Sequence, residues 1–251
     1  MAKSPLGVSL LLPGYNEEAN IEGVVARCAH ALEGLVARWE IIVIDDGSVD
    51  QTPALADRIA AASGGRIRVV HNPINLGVGQ SLLIGMRAAT HELVLHNAMD
   101  YPFDLADLER LLPLFPEHDV VIVARSNRSA HTTWRKLTSL VHYWLVRILF
   151  GVPFRDMNFV QIYKRETLAR LGVRARSPAF VTPETLIRAR DGGMRIAEVT
   201  APFHRRERGQ AHYGKPRDIL WTLSDMLSFW LERLPARRRL RATGEVRPAD
   251  R

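Results

Sequence analysis

A chain of 251 residues, 47% apolar and 24% charged, has the make-up of an ordinary globular protein and can bury a sizeable core. Its single cysteine excludes an intrachain disulfide and a thiolate metal cluster, and fits a reducing compartment. The net charge of +7 gathers after His204, where Arg237, Arg238, Arg239 and Arg241 crowd together, a pattern suited to anionic lipid, nucleic acid or phosphorylated substrates.

The apolar run near the N-terminus is too short for a secretory signal, and no segment offers the ~20 apolar residues of a spanning helix. The expected location is therefore cytoplasmic, peripheral at the cytosolic face of a membrane.

Val8–Leu12 reads as a strand buried on both faces. PGYNEEAN follows, with Asn16 predicted to cap the next helix. Ile21, Val24, Val25, Cys28 and Leu32 then recur at helical spacing, which makes Cys28 a small core residue. WEIIVID, 39–45, is a second buried strand that ends in DDGSVD. Thr52 before Pro53 predicts an N-cap with proline in the first helical position. RIRVVH, 66–71, is a third strand, and NLGVGQ leads into a helix that reaches about Ala89. ELVLHN, 92–97, is the fourth strand, after which Asp104 is placed to cap a helix start. DVVIVAR, 119–125, is the fifth.

The segment 131–150 differs in kind. Trp134, Leu137, Val141, Trp144, Leu145, Ile148 and Leu149 form a broad apolar face interspersed with Arg135, Lys136 and Arg147. It predicts a helix lying at a membrane interface, with a core helix as the alternative. NFVQIYKRE, 158–166, is a strand running into a helix, and SPAFVTPETLIRARDGGMRIAEVT gives a helix and then a strand. A basic loop precedes a last helix over 217–234, with Ile219, Leu220, Leu223, Leu227, Trp230, Leu231 and Leu234 on one stripe. An amphipathic helix that ends in arginines suits a lipid surface, since apolar burial and lipid charge add.

Strands alternating with helices predict βαβ units and an α/β fold with a mostly parallel sheet. Ligands of such sheets bind beyond the carboxyl ends of the strands. PGYNEE, DDGSVD and HNAMDYP all sit at those ends, so three clusters distant in sequence are expected to converge on one site.

VSLLLPGYNEEANIEGVV, EIIVIDDGSVDQT and NLGVGQSLLIGMRAA occur in that order. The ordered set resembles the family 2 glycosyltransferases of the GT-A fold, and among them the dolichol- and polyprenyl-phosphate sugar synthases of mannose type. The likeness covers about residues 6–215. It implies a GT-A domain over 1–215; the apolar stripe and the arginine run beyond it predict an amphipathic helix over 216–236 and a poorly ordered basic tail over 237–251. It further implies inverting transfer from a UDP- or GDP-sugar to a membrane polyprenyl phosphate, in the making of a cell envelope glycan. By likeness, Pro13, Tyr15 and Glu17 lie against the nucleotide, and Asp45 and Asp46 form the first acidic pair, contacting the nucleoside and supporting a metal. Gly77 and Gly79 let the chain turn beside the site and start a helix. A dinucleotide fingerprint is not supported, since Leu82 stands where its third glycine belongs.

Arg125 matches a strand-end arginine of the family, and Asp156 matches the aspartate of its D-x-x-S-G-F segment, without the serine and glycine. Glu184 matches an acidic residue on a helix. RRERGQAHYGK stands where the synthases carry R-x-x-G-x-S-K. Arg206 and Gly209 fit, Ala211 and His212 replace the serine and lysine, and Lys215 restores the charge. Arg125 and Arg206 would stabilise the departing diphosphate.

The family's metal motif, D-A-D at the end of the fourth strand, is altered. Here the chain reads HNAMDYP, which leaves Asn97 in the first position and Asp100 as the one carboxylate. An amide oxygen and a carboxylate can hold Mg2+ or Mn2+, whereas the Met99 thioether cannot. Three readings stay open: a weaker metal on Asp100 aided by the diphosphate and Asp46, catalysis without metal, or nucleotide-sugar binding without turnover. A lipid phosphate acceptor needs no general base, being ionised already. A hydroxyl acceptor would need one, and Asp104, Asp156 and Glu184 are the candidates. The arginine-rich tail lacks interleaved aromatics, which argues against nucleic acid. Any step that flips a lipid product would call for a membrane protein partner.

Overall fold

The computed structural model describes residues 3–126, 133–203 and 216–243, with side chains set aside at 133–137, 216 and 235–243. In chain order the main elements are β1 (Val8–Gly14), α1 (Ile21–Leu35), β2 (Trp39–Asp45), α2 (Thr52–Ala62), β3 (Ile67–His71), α3 (Val78–Ala88) and β4 (Leu93–His96). A short 3-10 turn (Leu105–Asp107) leads into α4 (Leu108–Leu111), followed by β5 (Val120–Arg125), α5 (Thr133–Phe150), β6 (Val160–Lys164), α6 (Arg165–Leu171), α7 (Val181–Asp191), β7 (Ile196–Ala201) and α8 (Pro216–Thr243). The fold is α/β.

The seven strands form one sheet in the order β3-β2-β1-β4-β6-β5-β7. β6 alone runs against its neighbours, antiparallel to both β4 and β5. The run of apolar residues in β1 and β2 reflects helices on both sheet faces. Leu10, Leu12, Ile41 and Val43 pack with Ile21, Val25, Cys28 and Leu32 of α1, while Leu11, Ile42 and Ile44 pack with Met86 and Ala89 on the other face. Cys28 is the core residue its spacing predicts, and burial pushes its thiol up to about 12. A further core layer joins α5, α7 and α8, where Phe150, Phe180 and Phe229 meet with ring centroids 5.4 to 5.9 Å apart.

One buried carboxylate serves the sheet alone. Burial opposes the charge of Glu40, yet Ser9, Arg68 and Thr90 donate to it and hold its pKa at about 2.

Three local expectations change. Asn16 does not cap α1, whose N-cap is Asn20; it reaches across to the β2–α2 loop instead. Thr52 opens α2, but its hydroxyl accepts from Glu17 N, and Gln51 takes the cap position. The last helix runs to Thr243, so the backbone of 237–243, expected as tail, is helical. Asp104 behaves as read and caps the 3-10 turn by accepting from Ala106 N.

Candidate active site

The carboxyl ends of β1, β2, β3, β4 and β5 lie along one edge of the sheet. Because β6 runs the other way, the segment that leads into it also reaches this edge. The sheet order thus gathers 13–18, 45–50, 72–77, 97–104, Arg125 and 154–159.

The acidic pair sits at the end of β2, and both carboxylates are spoken for. Asp45, 3% exposed, accepts from Ser48 N at Oδ1 (3.0 Å) and meets His71 Nδ1 at Oδ2 (2.8 Å). Its β3 partner in register is that same His71. His71 Nε2 reaches Asp57 on α2 (3.1 Å), so the imidazole bridges two carboxylates. The hydrogen bond to Asp45 leads the effects that raise its pKa. Asp46, 4% exposed, accepts at Oδ1 from the Asn72 amide (2.8 Å), the Ser81 hydroxyl (2.8 Å) and Leu76 N (3.0 Å), and at Oδ2 from Gly77 N (2.8 Å). Four bonds nearly fill a carboxylate. Asp46 therefore holds the turn into α3, where Gly77 takes φ +85 at the N-cap, a conformation that favours glycine. Gly79 has another task. A Cβ there would lie 2.6 Å from Ser177 O and 2.8 Å from Arg176 O, so this glycine lets α3 pack on that turn.

The loop after β1 is threaded into the loop after β2. Pro13 is buried and pairs in register with Ile44. Tyr15 and Glu17 are half-buried at this edge. Asn16 N donates to Ser48 (2.9 Å), Asn16 Oδ1 accepts from Val49 N (2.9 Å), and Glu17 Oε2 accepts from Asn20 (2.7 Å). Asn16 (φ 54) and Tyr101 (φ 50) are the non-glycine residues at positive φ among those described, and both lie on this edge. Such backbone strain, of order 1–3 kcal/mol each, collects at functional sites.

The turn after β4 corrects one expectation. Asn97 is 1% exposed; its amide donates to Phe103 O (2.8 Å) and its Oδ1 accepts from Ala98 N (3.0 Å). It braces the turn from inside and is not disposed as a ligand for donor or metal. Met99 is buried in the main core. Asp100 is half-buried, and Tyr101 beside it lies under the Arg27 guanidinium at 3.8 Å. Among the described residues no group of three His, Cys, Asp or Glu side chains is disposed to hold a metal. Among the described residues side chains alone therefore build no metal centre, and Asp100 is the one carboxylate of this turn that could share an ion with a bound diphosphate.

Arg125 is clasped by Asp156, Nε to Oδ2 at 2.6 Å and Nη2 to Oδ1 at 3.1 Å, with the rings of Phe159 and Phe203 5.6 and 5.8 Å away. Glu184 does not join the site. It is 1% exposed and accepts from Arg174 N, Ala175 N and the Arg188 guanidinium, tying α7 to the chain before it. Arg206, Gly209, Ala211, His212 and Lys215 lie outside the described residues. A cavity of about 1120 Å³ opens on the opposite edge of the sheet, lined in part by Leu6, Glu92, Phe115 and Lys164, and is remote from the acidic pair.

His71, Asn72 and Ser81 join the site without a sequence motif to mark them. His71 had a usable signal, since it ends a strand as Asp45 does; Asn72 and Ser81 had none without the pairing of β2 with β3.

The family model described as "Glycosyl transferase family 2" matches residues 9–172. The chain is 28% identical to the dodecaprenyl-phosphate galacturonate synthase of Rhizobium johnstonii over 231 residues, covering 89% of this chain and 66% of that protein. It is 32% identical to the polyprenol monophosphomannose synthase of Mycolicibacterium smegmatis over 213 residues, covering 80% of this chain and 78% of that protein. Its fold matches the crystal structure of glucosyl-3-phosphoglycerate synthase from Mycobacterium tuberculosis in complex with Mn2+, UDP and phosphoglyceric acid, with a TM-score of 0.64, 26% identity, and coverage of 90% of this chain and 78% of that one. The chain thus spans slightly less than two thirds of the first relative.

Proposed function

We propose that this chain, which belongs to glycosyl transferase family 2, moves a sugar from a nucleoside diphosphate to a polyprenyl phosphate at a membrane surface, with inversion. The observation that carries the donor half is the meeting of the Asp45–Asp46 pair, the strained Asn16 and Tyr101 turns and the Arg125–Asp156 pair at one strand edge. Two of the proteins matched above are named for polyprenyl-type phosphate products, and the solved neighbour binds UDP.

The acceptor half rests on two features. First, the candidate bases are engaged elsewhere: Glu184 is buried, Asp156 is paired with Arg125, and Asp104 caps a turn. An ionised phosphate needs none of them. Second, α5 and α8 are apolar on opposite faces. On α8, Thr222, Met226 and Phe229 are buried while Leu220, Leu223, Leu227 and Leu231 are exposed. At about 100° per residue the two stripes lie roughly opposite one another. On α5, Val146 and Phe150 are buried while Leu140, Val141, Trp144 and Ile148 are exposed. Arg147 stands over the Tyr143 and Trp144 rings at 5.4 and 5.8 Å, a grouping suited to headgroup depth. Among the described residues no helix is long and apolar enough to cross a membrane. The exposed apolar faces of α5 and α8 are the support for a peripheral contact, which the proposal places at the cytosolic face.

In the reaction, the acceptor phosphate attacks the anomeric carbon opposite the leaving diphosphate. Asp45 and Asp46, through Ser48, His71 and Gly77, shape the turns against which the nucleoside lies, and Arg125, fixed by Asp156, offers its remaining N–H donors to the diphosphate. Mn2+ accompanies UDP in the neighbour. With Asn97 turned inward, a divalent ion has Asp100 as its one carboxylate in this turn, so no step is assigned to it.

The test is calorimetry with UDP- and GDP-sugars, then a product assay on polyprenyl phosphate in vesicles. Binding with transfer to the lipid is expected. Binding without turnover on any acceptor would favour the second reading, a nucleotide-sugar binder, for which the altered turn after β4 speaks.

A further inference from the structure

α8 makes different contacts on its two faces. From its inner side, Asp225 Oδ2 accepts from Arg176 N (2.9 Å) and Ser177 N (2.8 Å). The carbonyls of those same two residues occupy the space a Cβ on Gly79 would need. The 176–177 turn is therefore seated directly on the first turn of α3. Trp221 of α8 and Pro178 close on Gly77 from the same side, 4.0 and 3.8 Å from where its Cβ would stand. Gly77 N in turn donates to Asp46 Oδ2 at 2.8 Å. An unbroken series of contacts runs from α8 to the acidic pair, and the far side of α8 is its exposed leucine stripe.

We propose that Asp225 is a positioning residue for the donor site, and that through it α8 couples lipid contact to donor affinity. The inference rests on the proposed function, in which the Gly77 turn faces the donor. Two neighbouring amides share one carboxylate oxygen, so removing that charge loosens the 176–177 turn and with it the seat of α3. Lipid contact on the outer stripe restrains α8 and, through Asp225, the turn. Such a coupling is reciprocal: whatever lipid adds to donor affinity, donor adds to lipid affinity.

The experiment uses the full chain with UDP as probe. Its affinity is measured by calorimetry in buffer and with mixed phosphatidylcholine and phosphatidylglycerol vesicles, and vesicle retention is followed by flotation. For the wild type, vesicles should tighten UDP binding about tenfold, within the usual range of coupling between sites. Asp225→Asn should still float with vesicles but lose that gain. Leu227→Ser, a surface change that spares the core, should lose it by failing to float. UDP affinity indifferent to vesicles, a wild type that vesicles do not retain, or an Asp225→Asn chain with the full gain would each overturn the inference while leaving the donor reading intact. A chain that binds neither UDP nor GDP under any condition removes the donor reading, and the inference with it.

Discussion

Arg125 and Asp156 face each other in a two-point ion pair, 2.6 and 3.1 Å, although 31 residues separate them. The antiparallel course of β6 brings Asp156 back to the end of β5. The pair aims a planar cation at the edge where a leaving diphosphate would lie.

Asp156→Asn should keep the fold and lower kcat/KM at least tenfold, because the guanidinium loses its two-point anchor. Asp156→Ala should cost about 3–5 kcal/mol in a urea titration, as for a buried pair broken from one side. Arg125→Lys should not restore activity, since an ammonium cannot reproduce the fork.

Asp46→Ala leaves Asn72, Ser81, Leu76 N and Gly77 N without their common acceptor. At about 1–3 kcal/mol per buried unsatisfied group, partly relieved by water, a loss of about 3 kcal/mol is expected. UDP affinity should fall with it. A variant with wild-type stability and affinity would remove the role given to this carboxylate.

The His71 bridge predicts a pH dependence. Its folded pKa is raised above the unfolded value of about 6.5. Its contribution to stability is then complete below about pH 6.5 and is lost as pH rises through the folded pKa. Melting temperature should decline over that interval in the wild type and stay flatter in His71→Gln. An NMR titration of the imidazole should place the midpoint above 6.5.

Asn97 donates to Phe103 O and is buried. Asn97→Asp, which would rebuild an acidic residue in the altered motif, should cost about 2 kcal/mol by setting a carboxylate against a carbonyl. It should not bring Mn2+ dependence. Removing divalent ions from the wild type should change UDP affinity by less than about tenfold, or ~1.4 kcal/mol. A larger drop on EDTA treatment would show that a metal dominates donor binding.

Much of the fold was legible in the chain. Apolar runs at Leu10–Leu12 and Ile41–Ile44 announce strands covered on both faces, and Cys28 falls on the helical stripe that forms the inner side of α1. The strand-end rule places Asp45 and Asp46 on one edge with the loops after β1 and β4, and the family likeness adds Arg125. Less legible were groups whose partners lie far along the chain. Asn16 has the chemistry of a cap and reaches instead to Ser48 and Val49. Trp230 was read on the stripe with Leu227 and Leu231, but packs half-buried against the α5–α7–α8 core.

By itself, then, the sequence determined the strand and helix pattern, the edge where the loops after the strands gather and the family, because local periodicity and short ordered motifs are written in neighbouring residues. Only the tertiary structure decided which polar groups are spent internally. Asn97 and Glu184 read as site residues until their hydrogen bonds are seen. His71 and Asp225 read as ordinary polar residues until β3 sets one beside Asp45 and α8 sets the other against Ser177. A side chain's chemistry is fixed by its type, but its availability depends on partners that folding alone brings within hydrogen-bond reach.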